Sequence, residues 1–309
     1  MRNLINILDL TTEEIDEIVD LVTDIYKNPD NYKDACRGKI MGSLFFEPST
    51  RPRLSFTSAM MGLGGNVLGF SQAGNSSIAK GETVSDTVRM VDAYSDIIVM
   101  RHPKEGAPIV ASNVVNVPLI NAGDGGHFHP TQTLTDLITI KHKKGRFDNL
   151  TIGVCGDLKY GRTVHSLIMA LRHFNPTLHF IAPEELSLPN EYKDFCKENN
   201  IKFEEHNDFN ADVISNADIL YMTRVQRERF TDPMEYERVK DVYILRASML
   251  EKARENMKIL HPLPRVNEID YDVDNDPHAY YFEQARNGLY ARQAIICDVL
   301  GISLDDIKH

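Results

Sequence analysis

The sequence predicts an α/β protein of two domains, each a parallel β-sheet flanked by helices, with an active-site cleft between them. Short apolar runs alternate with helix-length segments along the chain, a pattern typical of parallel α/β folds. Most of these runs are apolar at nearly every position, as expected of strands that are covered on both faces. Polar clusters directly follow the runs in both halves, and parallel sheets bind ligands beyond the carboxyl ends of their strands.

Composition limits the possible functions. The 309 residues exceed what one hydrophobic core usually serves, and the net charge of -11 argues against broad nucleic-acid binding. The four cysteines are far apart in the sequence and form no CxxC pair, so we expect reduced thiols and no structural metal. An apolar signal core and a membrane-length segment are both missing, which predicts a cytoplasmic protein with no membrane partner.

The first predicted element is a helix in TTEEIDEIVDLVTDIYK, where Thr11 and Glu14 fit a capping box. Apolar residues then recur at helical spacing, namely Ile15, Ile18, Val19, Val22 and Ile25. The runs that we interpret as strands are, in chain order, KIMGSLFF, GNVLGFS, DIIVM, VPLINA, TIGVCG, LHFIA, DILYM, VYILRA and KILHPLP. Their alternation with helix-length segments predicts parallel sheets.

The domain boundary is predicted near TLTDLITIKHKKGRFDNL. A helix runs from about Thr131 to Gly145, a residue suited to a helix C-cap, and a new strand starts at Thr151. The last predicted helix is GLYARQAIICDVLG, which has Leu289, Ile295, Ile296, Val299 and Leu300 to bury. Helical spacing alone does not indicate which domain this helix packs against.

The cluster after SLFF is suited to an anion. A helix is predicted to begin here with Ser49 as its N-cap and with Leu54, Phe56 and Met60 facing inward. A helix N-terminus offers free N–H groups, Ser49 and Thr50 add hydroxyls, and Arg51 adds a planar cation. Pro52 is compatible with a first helical turn but removes one N–H. The alternative is a capped helix with a surface arginine.

Further clusters in the first half could complete such a site. Arg101 follows a buried strand, His129 could donate to a carbonyl oxygen, and Gln132 could orient an amide. Ser77 and Lys80 lie in NSSIAKGETVSDT, a small polar stretch without the spacing of a phosphate-binding Walker loop. The alternatives are a surface arginine, a structural histidine and a solvated loop.

The second half predicts a site for carboxylates. GVCGDLKYGRT lacks the GxGxxG spacing, so we expect no dinucleotide cofactor. Arg162 and Arg224 follow separate strands and together suit a substrate with two carboxylates, although two structural salt bridges would give the same pattern. With no metal cluster, no other cofactor and no nucleophilic triad in view, the chemistry should be positioning and electrostatic stabilisation.

Blocks along almost the whole chain resemble the aspartate/ornithine carbamoyltransferase family, and within it the catalytic chains that act on aspartate. The matching blocks are FFEPSTR, KGET, VMRHPKEGA, NAGDG, HPTQTLTDL, GDLKYGRTVHSL, YMTRVQRER, LHPLPRVNEI and NGLYARQA. The resemblance implies a transferase that moves the carbamoyl group of carbamoyl phosphate to the amino group of L-aspartate, the committed step towards pyrimidines. It also implies a homotrimer with shared active sites, and it leaves room for a separate regulatory chain.

The resemblance further implies roles for domains and residues. Residues 1–132 with the C-terminal helix 286–309 would bind carbamoyl phosphate, and 133–285 would bind aspartate. The catalytic residues would be Arg51, Lys80, Arg101 and His129. The residues that bind carbamoyl phosphate would be Ser49, Thr50, Arg51, Ser77, Lys80, Arg101, His129, Gln132, Leu263 and Pro264, the last two through backbone carbonyls. Those that bind aspartate would be Lys80, Arg162, Arg224 and Gln226, and Glu47 and Arg229 would support domain closure.

One departure from the family pattern leaves alternatives open. The family has Ser-Thr-Arg-Thr-Arg where this chain has Pro52, so one hydroxyl and one N–H are missing. Loss of one such donor can cost about 10²–10³ in rate. The rival hypotheses are a transcarbamoylase that uses ornithine and a weakly active or non-catalytic scaffold. The segments MTRVQ and HPLP favour aspartate, and the retained arginines weigh against a scaffold.

Overall fold

The computed structural model describes residues 2–71, 80–209 and 211–307. The chain divides into two compact units, the first made of Met1–Ile138 and Asn287–His309, and the second made of Thr139–Arg286. Each unit is built on a parallel β-sheet with flanking helices, which confirms the predicted fold class. Within the described residues, no helix is long and apolar enough to cross a membrane.

The first unit has a sheet in the order β2-β1-β3-β4, with every described pair of neighbouring strands parallel. The strands are β1 Ile40–Phe45, β2 Asn66–Phe70, β3 Ile97–His102 and β4 Leu119–Asp124. The helices that begin in this unit are α1 Thr12–Lys27, α2 Thr50–Gly62, α3 Val84–Asp92, α4 Ala107–Ser112, α5 Pro130–Lys144 and α11 Leu304–Ile307. β1 and β3 are central and nearly all buried, whereas the edge strand β2 is half-exposed. The expectation that both faces are covered therefore fails at β2.

The second unit has a sheet in the order β7-β6-β5-β8-β9, again parallel throughout the described pairs. The strands are β5 Thr151–Cys155, β6 Thr177–Ile181, β7 Lys202–His206, β8 Ile219–Met222 and β9 Lys258–Leu260. The helices that begin in this unit are α6 Arg162–Leu171, α7 Asn190–Glu198, α8 Ala211–Asn216, α9 Pro233–Val239 and α10 Tyr281–Leu300, and most of α10 belongs to the first unit. Short 3-10 turns lie at Ile7–Asp9, Pro29–Asn31, Glu184–Leu186, Arg227–Arg229, Ala247–Leu250 and Tyr271–Asn275.

The predicted helices are largely confirmed. Thr11 and Glu14 form the capping box of α1, and all five predicted apolar residues of that helix are buried. α5 ends where Gly145 adopts a φ of +68° and donates its N–H to the carbonyl of Lys141. α10 starts earlier than predicted, at Tyr281. In α2, Phe56 and Met60 are buried, but Leu54 is 53% exposed, so its predicted inward orientation was wrong.

Two strand assignments need correction. The run VYILRA is not a described strand, because Leu245 makes only an isolated bridge with Ile269 and a 3-10 turn follows at Ala247–Leu250. Tyr243 and Leu245 are nevertheless buried in the core of the second unit, which accounts for their apolar character. Conversely, the charged segment KFEEH forms the edge strand β7, which the apolar-run criterion could not find.

Candidate active site

The segment after β1 places polar groups at the start of α2. Ser49 is the N-cap residue, and the helix opens with Thr50, Arg51 and Pro52. An N-cap hydroxyl normally accepts from the N–H at the second or third helical position. Pro52 holds the third position and has no N–H, and within the described residues the Ser49 side chain makes no capping hydrogen bond. Ser49 and Thr50 therefore keep hydroxyl capacity that a ligand can use.

Arg101 lies near the end of β3, directly beside β1. Phe45 pairs with Arg101 in the sheet, and the next N–H, that of Phe46, donates to the Arg101 carbonyl at 2.9 Å. The Arg101 guanidinium forms an ion pair with Glu47, with Nε 2.8 Å from the carboxylate oxygen Oε1. The structure thus brings Arg101 and the residues before α2 to the same edge of the sheet, where Glu47 forms an ion pair with the arginine.

The turn after β4 is organised by a buried carboxylate that sequence reasoning had not identified as a structural centre. Asp124 accepts from the N–H groups of Gly106 at 2.8 Å and Phe128 at 3.1 Å, and from the Asn121 side chain at 3.0 Å. Gly125 has a φ of +52°, and a Cβ there would lie 2.9 Å from the carbonyl oxygen of Pro103. This turn fixes the approach of the chain to α5.

His129 and Gln132 lie at the N-terminal end of α5. His129 is buried, and its Nδ1 lies 3.4 Å from the Thr131 hydroxyl. The side-chain amide nitrogen of Gln132 donates to Asp136 at 2.8 Å. Because a carboxylate only accepts, the amide nitrogen of Gln132 must face it, and the carbonyl oxygen of Gln132 is the atom suited to accept from a ligand N–H.

The predicted loop residues are only partly described. Ser77 lies outside the described residues. Lys80 is described and exposed, shortly before α3, whose N-cap Thr83 accepts from the N–H of Asp86 at 3.1 Å.

In the second unit, a buried aspartate connects the ends of β5 and β8. Asp157 accepts from the N–H groups of Tyr160 at 2.9 Å and Gln226 at 3.1 Å, and its own N–H donates to Thr223 at 2.9 Å. Burial raises the pKa of the Asp157 carboxyl, although these backbone hydrogen bonds oppose the shift. Gly156 has a φ of +117°, and a Cβ there would lie 2.2 Å from the carbonyl oxygen of Thr223, so the two loops touch backbone to backbone.

The predicted carboxylate-binding residues lie on these two connected loops. Arg162 is the first residue of α6, and Arg224 is two residues past the end of β8. Both side chains are half-buried, and β5 and β8 are hydrogen-bonded neighbours. The Gln226 side chain donates to the carbonyl of Tyr160 at 2.8 Å, which crosslinks the loops again. Arg229 is exposed and closes a short 3-10 turn on the same segment.

The segment after β9 is held by a buried histidine whose role was missed. His261 Nε2 donates to Glu268 at 2.6 Å, and Nδ1 accepts from the N–H of Leu263 at 2.8 Å. Burial lowers the pKa of His261, consistent with a neutral ring in this arrangement. Leu263 has a φ of +54°, and the Leu263–Pro264 peptide bond is cis. A branched side chain at positive φ is uncommon and is often found at functional sites.

The chemistry that this arrangement supports is anion binding in each unit. The first unit combines a helix N-terminus, two hydroxyls and Arg101, which suits a phosphate group. The second unit combines two arginines on loops that are joined by Asp157, which suits carboxylates. All four cysteines are buried and free in the described parts of the chain, and none is placed as a nucleophile in these clusters.

Two family models match this chain, one on each half. The aspartate/ornithine carbamoyltransferase carbamoyl-P binding domain matches residues 2–142, and the Asp/Orn binding domain of the same family matches residues 148–299. Together they span most of the chain.

Similar proteins extend the match to full length. The aspartate carbamoyltransferase catalytic subunit of Bacteroides fragilis is 61% identical over 306 residues, 99% of each chain. The catalytic subunit of M. jannaschii aspartate transcarbamoylase superposes with a TM-score of 0.90 at 47% identity, covering 97% of this chain and 98% of that chain. Aspartate transcarbamoylase from Trypanosoma cruzi in complex with carbamoyl phosphate and aspartate gives a TM-score of 0.89 at 36% identity, covering 96% and 95%.

Proposed function

This chain belongs to the aspartate/ornithine carbamoyltransferase family, and from that membership we infer that it transfers the carbamoyl group of carbamoyl phosphate to L-aspartate. The products are N-carbamoyl-L-aspartate and phosphate, in the synthesis of pyrimidines. One observation supports this inference above the others. The loops after the strands carry two separate clusters of cationic and polar residues, one suited to phosphate and one suited to carboxylates.

Carbamoyl phosphate would bind to the first unit, proposed here as the domain of residues 1–132 with 286–309. The phosphate would lie at the start of α2, where Ser49 and Thr50 donate hydroxyls and Arg51 and Arg101 supply positive charge. Glu47 forms an ion pair with Arg101 in this structure, so the phosphate would either displace that carboxylate or bind the same guanidinium beside it.

The carbamoyl group would be recognised at the start of α5 and by the segment after β9. His129 would donate to its carbonyl oxygen, and the side-chain oxygen of Gln132, set by Asp136, would accept from its amide. The backbone carbonyls of Leu263 and Pro264 would accept from the amino groups of the substrates. The His261–Glu268 pair supports that role because it fixes the turn on which both carbonyls lie.

Aspartate would bind to residues 133–285, proposed as the second domain. Arg162 and Arg224 would each contact a carboxylate of aspartate, with Gln226 beside them. The buried Asp157 supports this assignment, because it ties the loop that precedes Arg162 to the backbone of Gln226. Two arginines held by one anchor discriminate a dicarboxylate from an amino acid with a cationic side chain, such as ornithine.

The reaction needs positioning rather than covalent catalysis by the protein. The unprotonated α-amino group of aspartate attacks the carbonyl carbon, and an oxyanion develops on the carbonyl oxygen. Arg101 and His129 would stabilise this charge, and Arg51 and Lys80 would stabilise the leaving phosphate. As the C–O bond to phosphate breaks, the departing phosphate accepts the proton of the amine, so the step balances without a protein base.

Assembly completes the proposal. Ser77 and Lys80 would reach the active site of an adjacent chain in a homotrimer, and the exposure of Lys80 in the single chain is compatible with that role. Glu47 and Arg229 would support closure once both substrates are bound. A separate regulatory chain fits this proposal as a partner, and the four free thiols fit a cytoplasmic location.

The test is a carbamoyl-aspartate assay on the purified full chain with L-aspartate and L-ornithine as alternative acceptors. Arg101→Gln should lower kcat/KM by about 10²-fold or more, the usual effect of losing an oxyanion contact. The matched control Arg37→Gln removes an exposed arginine that pairs with Asp34 on the surface and should leave the rate unchanged. Carbamoylation of ornithine alone would overturn the assignment of the acceptor.

Calorimetry with N-phosphonacetyl-L-aspartate, the ligand of another T. cruzi aspartate transcarbamoylase structure, separates an enzyme from a scaffold. Binding that is weakened by Arg101→Gln and by Arg224→Gln supports the two-cluster site. Failure to bind at millimolar concentration would favour the scaffold.

A further inference from the structure

Two histidines and a glutamate meet on the outer strands of the second sheet, away from the residues discussed above. His179 lies on β6, and Glu204 and His206 lie on the edge strand β7. In the parallel register His179 is opposite Glu204, and Ile181 is opposite His206. Because side chains alternate along a strand, these three point to one face of the sheet. Glu205 points to the other face, where it pairs with Lys193 at 2.6 Å.

The three donor atoms are spaced as a small metal ion requires. His179 Nδ1 lies 3.1 Å from His206 Nε2 and 3.6 Å from Glu204 Oε2, and His206 Nε2 lies 3.8 Å from the same oxygen. The point equidistant from these three atoms is about 2.0 Å from each, the distance at which Zn²⁺ binds nitrogen and carboxylate oxygen. That point lies in the plane of the three atoms, so a tetrahedral ion, which lies above this plane, requires the two wider spacings to shorten slightly.

The surroundings suit binding from solvent. The side chains of His179 and His206 are 14% and 17% exposed, so both rings are held in place, whereas Glu204 is 68% exposed and leaves a coordination position open to water. Two imidazoles with one carboxylate favour zinc-like transition metals over Mg²⁺ or Ca²⁺, which prefer oxygen ligands.

We propose that His179, Glu204 and His206 form a binding site for a divalent transition-metal ion of the zinc class, with water as its remaining ligand. The ion would crosslink β7 to β6 and so stabilise the edge of the second sheet. It would take no direct part in carbamoyl transfer, since none of its three ligands belongs to the phosphate or carboxylate clusters described above.

The experiment titrates the full chain, first treated with a chelator and then dialysed, with ZnCl₂ in a calorimeter at pH 7.5. We expect one ion per chain at this site and a higher melting temperature in its presence. Loss of an outer-shell partner already weakens metal binding by about 10–100-fold, so Glu204→Gln or His206→Gln should weaken it at least as much. His173→Gln, at an exposed histidine of the same unit, is the matched control and should bind as the wild type does.

A Co²⁺ titration gives an independent readout, because the visible absorption of bound Co²⁺ reports nitrogen and oxygen ligands, and Glu204→Gln should change it. Glu204 is exposed, so this variant is expected to fold, and its carbamoyl-aspartate activity should remain that of the wild type. The proposal fails if the wild type takes up no Zn²⁺ at ~100 μM, a concentration that fills any site with a dissociation constant in the low micromolar range. It also fails if Glu204→Gln and His206→Gln bind Zn²⁺ as tightly as the wild type.

Discussion

Replacing Pro52 should strengthen phosphate binding at the start of α2. The helix opens with Thr50, Arg51 and Pro52, so one of its first three backbone nitrogens carries no hydrogen. Ser49 makes no capping bond in the described structure, which is the expected consequence of a proline at the third helical position. Pro52→Ala restores the N–H, and Pro52→Thr restores the N–H and adds a hydroxyl.

The expected size of the effect follows from the exposure of the site. A hydrogen bond to a charged group contributes about 1.5–3 kcal/mol, and the lower end applies because Thr50 and Arg51 are exposed. This predicts an affinity for inorganic phosphate about tenfold higher in Pro52→Ala than in the wild type. Stability should change little, since a recovered cap contributes about 1 kcal/mol and loss of proline removes about 0.4–1 kcal/mol.

Calorimetry with phosphate and steady-state kinetics with carbamoyl phosphate measure the two contributions separately. Pro52→Ala reports the backbone donor, and the further gain in Pro52→Thr reports the hydroxyl, which should appear in kcat. If both variants bind phosphate within twofold of the wild type and turn over at the same rate, the third amide of α2 does not face the anion. The proposed placement of the phosphate would then be wrong.

Three further predictions follow from buried or paired charges. Glu47→Gln should tighten phosphate binding about tenfold by calorimetry, because it releases Arg101 from a largely buried, charge-assisted hydrogen bond that contributes about 1.5 kcal/mol. Asp157→Asn should raise KM for aspartate about tenfold while leaving phosphate affinity unchanged, because an amide cannot accept from all the N–H groups that the carboxylate orders, Gln226 among them. Burial lowers the pKa of His165 to about 4, so the ring takes up a proton on unfolding at pH values below ~6.5. Denaturation should therefore show that this group makes the free energy of unfolding about 2 kcal/mol lower at pH 5 than at pH 7.5.

Each of these has an outcome that contradicts it. Weaker phosphate binding in Glu47→Gln would mean that the carboxylate organises the site instead of competing for it. Asp157→Asn is compared with Asp194→Asn, an exposed aspartate, and equal KM values would dismiss the loop anchor. His165→Gln keeps an N–H that can donate to the Leu158 carbonyl, as His165 does at 2.8 Å, but does not titrate. An unchanged pH dependence in that variant would place the proton uptake elsewhere.

The strands that could be predicted from the sequence are those buried on both faces of a sheet. Central strands such as β1 and β3 are buried on both faces, so their apolar runs stand out in the sequence. Edge strands lack that signal, because charged side chains on an exposed edge discourage pairing with other chains, and KFEEH reads as a loop. VYILRA shows the opposite error, since buried residues alternate there as in a strand, but only an isolated bridge is formed.

The arginines and hydroxyls of the candidate site could be predicted from the sequence, but the buried carboxylates that hold their loops could not. Arginines and hydroxyls after strands are visible in the sequence because such residues are unusual beside apolar runs. Asp124, Asp157 and Glu268 were not distinguishable from surface acids, because their importance depends on which strands become neighbours. Each accepts hydrogen bonds from side chains or N–H groups next to the candidate site residues, and each is nearly fully buried.

The buried carboxylates that the sequence did not reveal also help to position the arginines. A carboxylate buried beneath a cluster of arginines is held there by several N–H donors, because an unpaired buried charge would cost several kcal/mol. The same bonds leave the loop few alternative conformations, so the cations above it are positioned before the substrate arrives. Asp157 is the clearest case, since its acceptors join Tyr160 on one loop to Gln226 on the next. The sheet order that makes β5 and β8 neighbours is therefore as much a part of the proposed aspartate site as the arginines are.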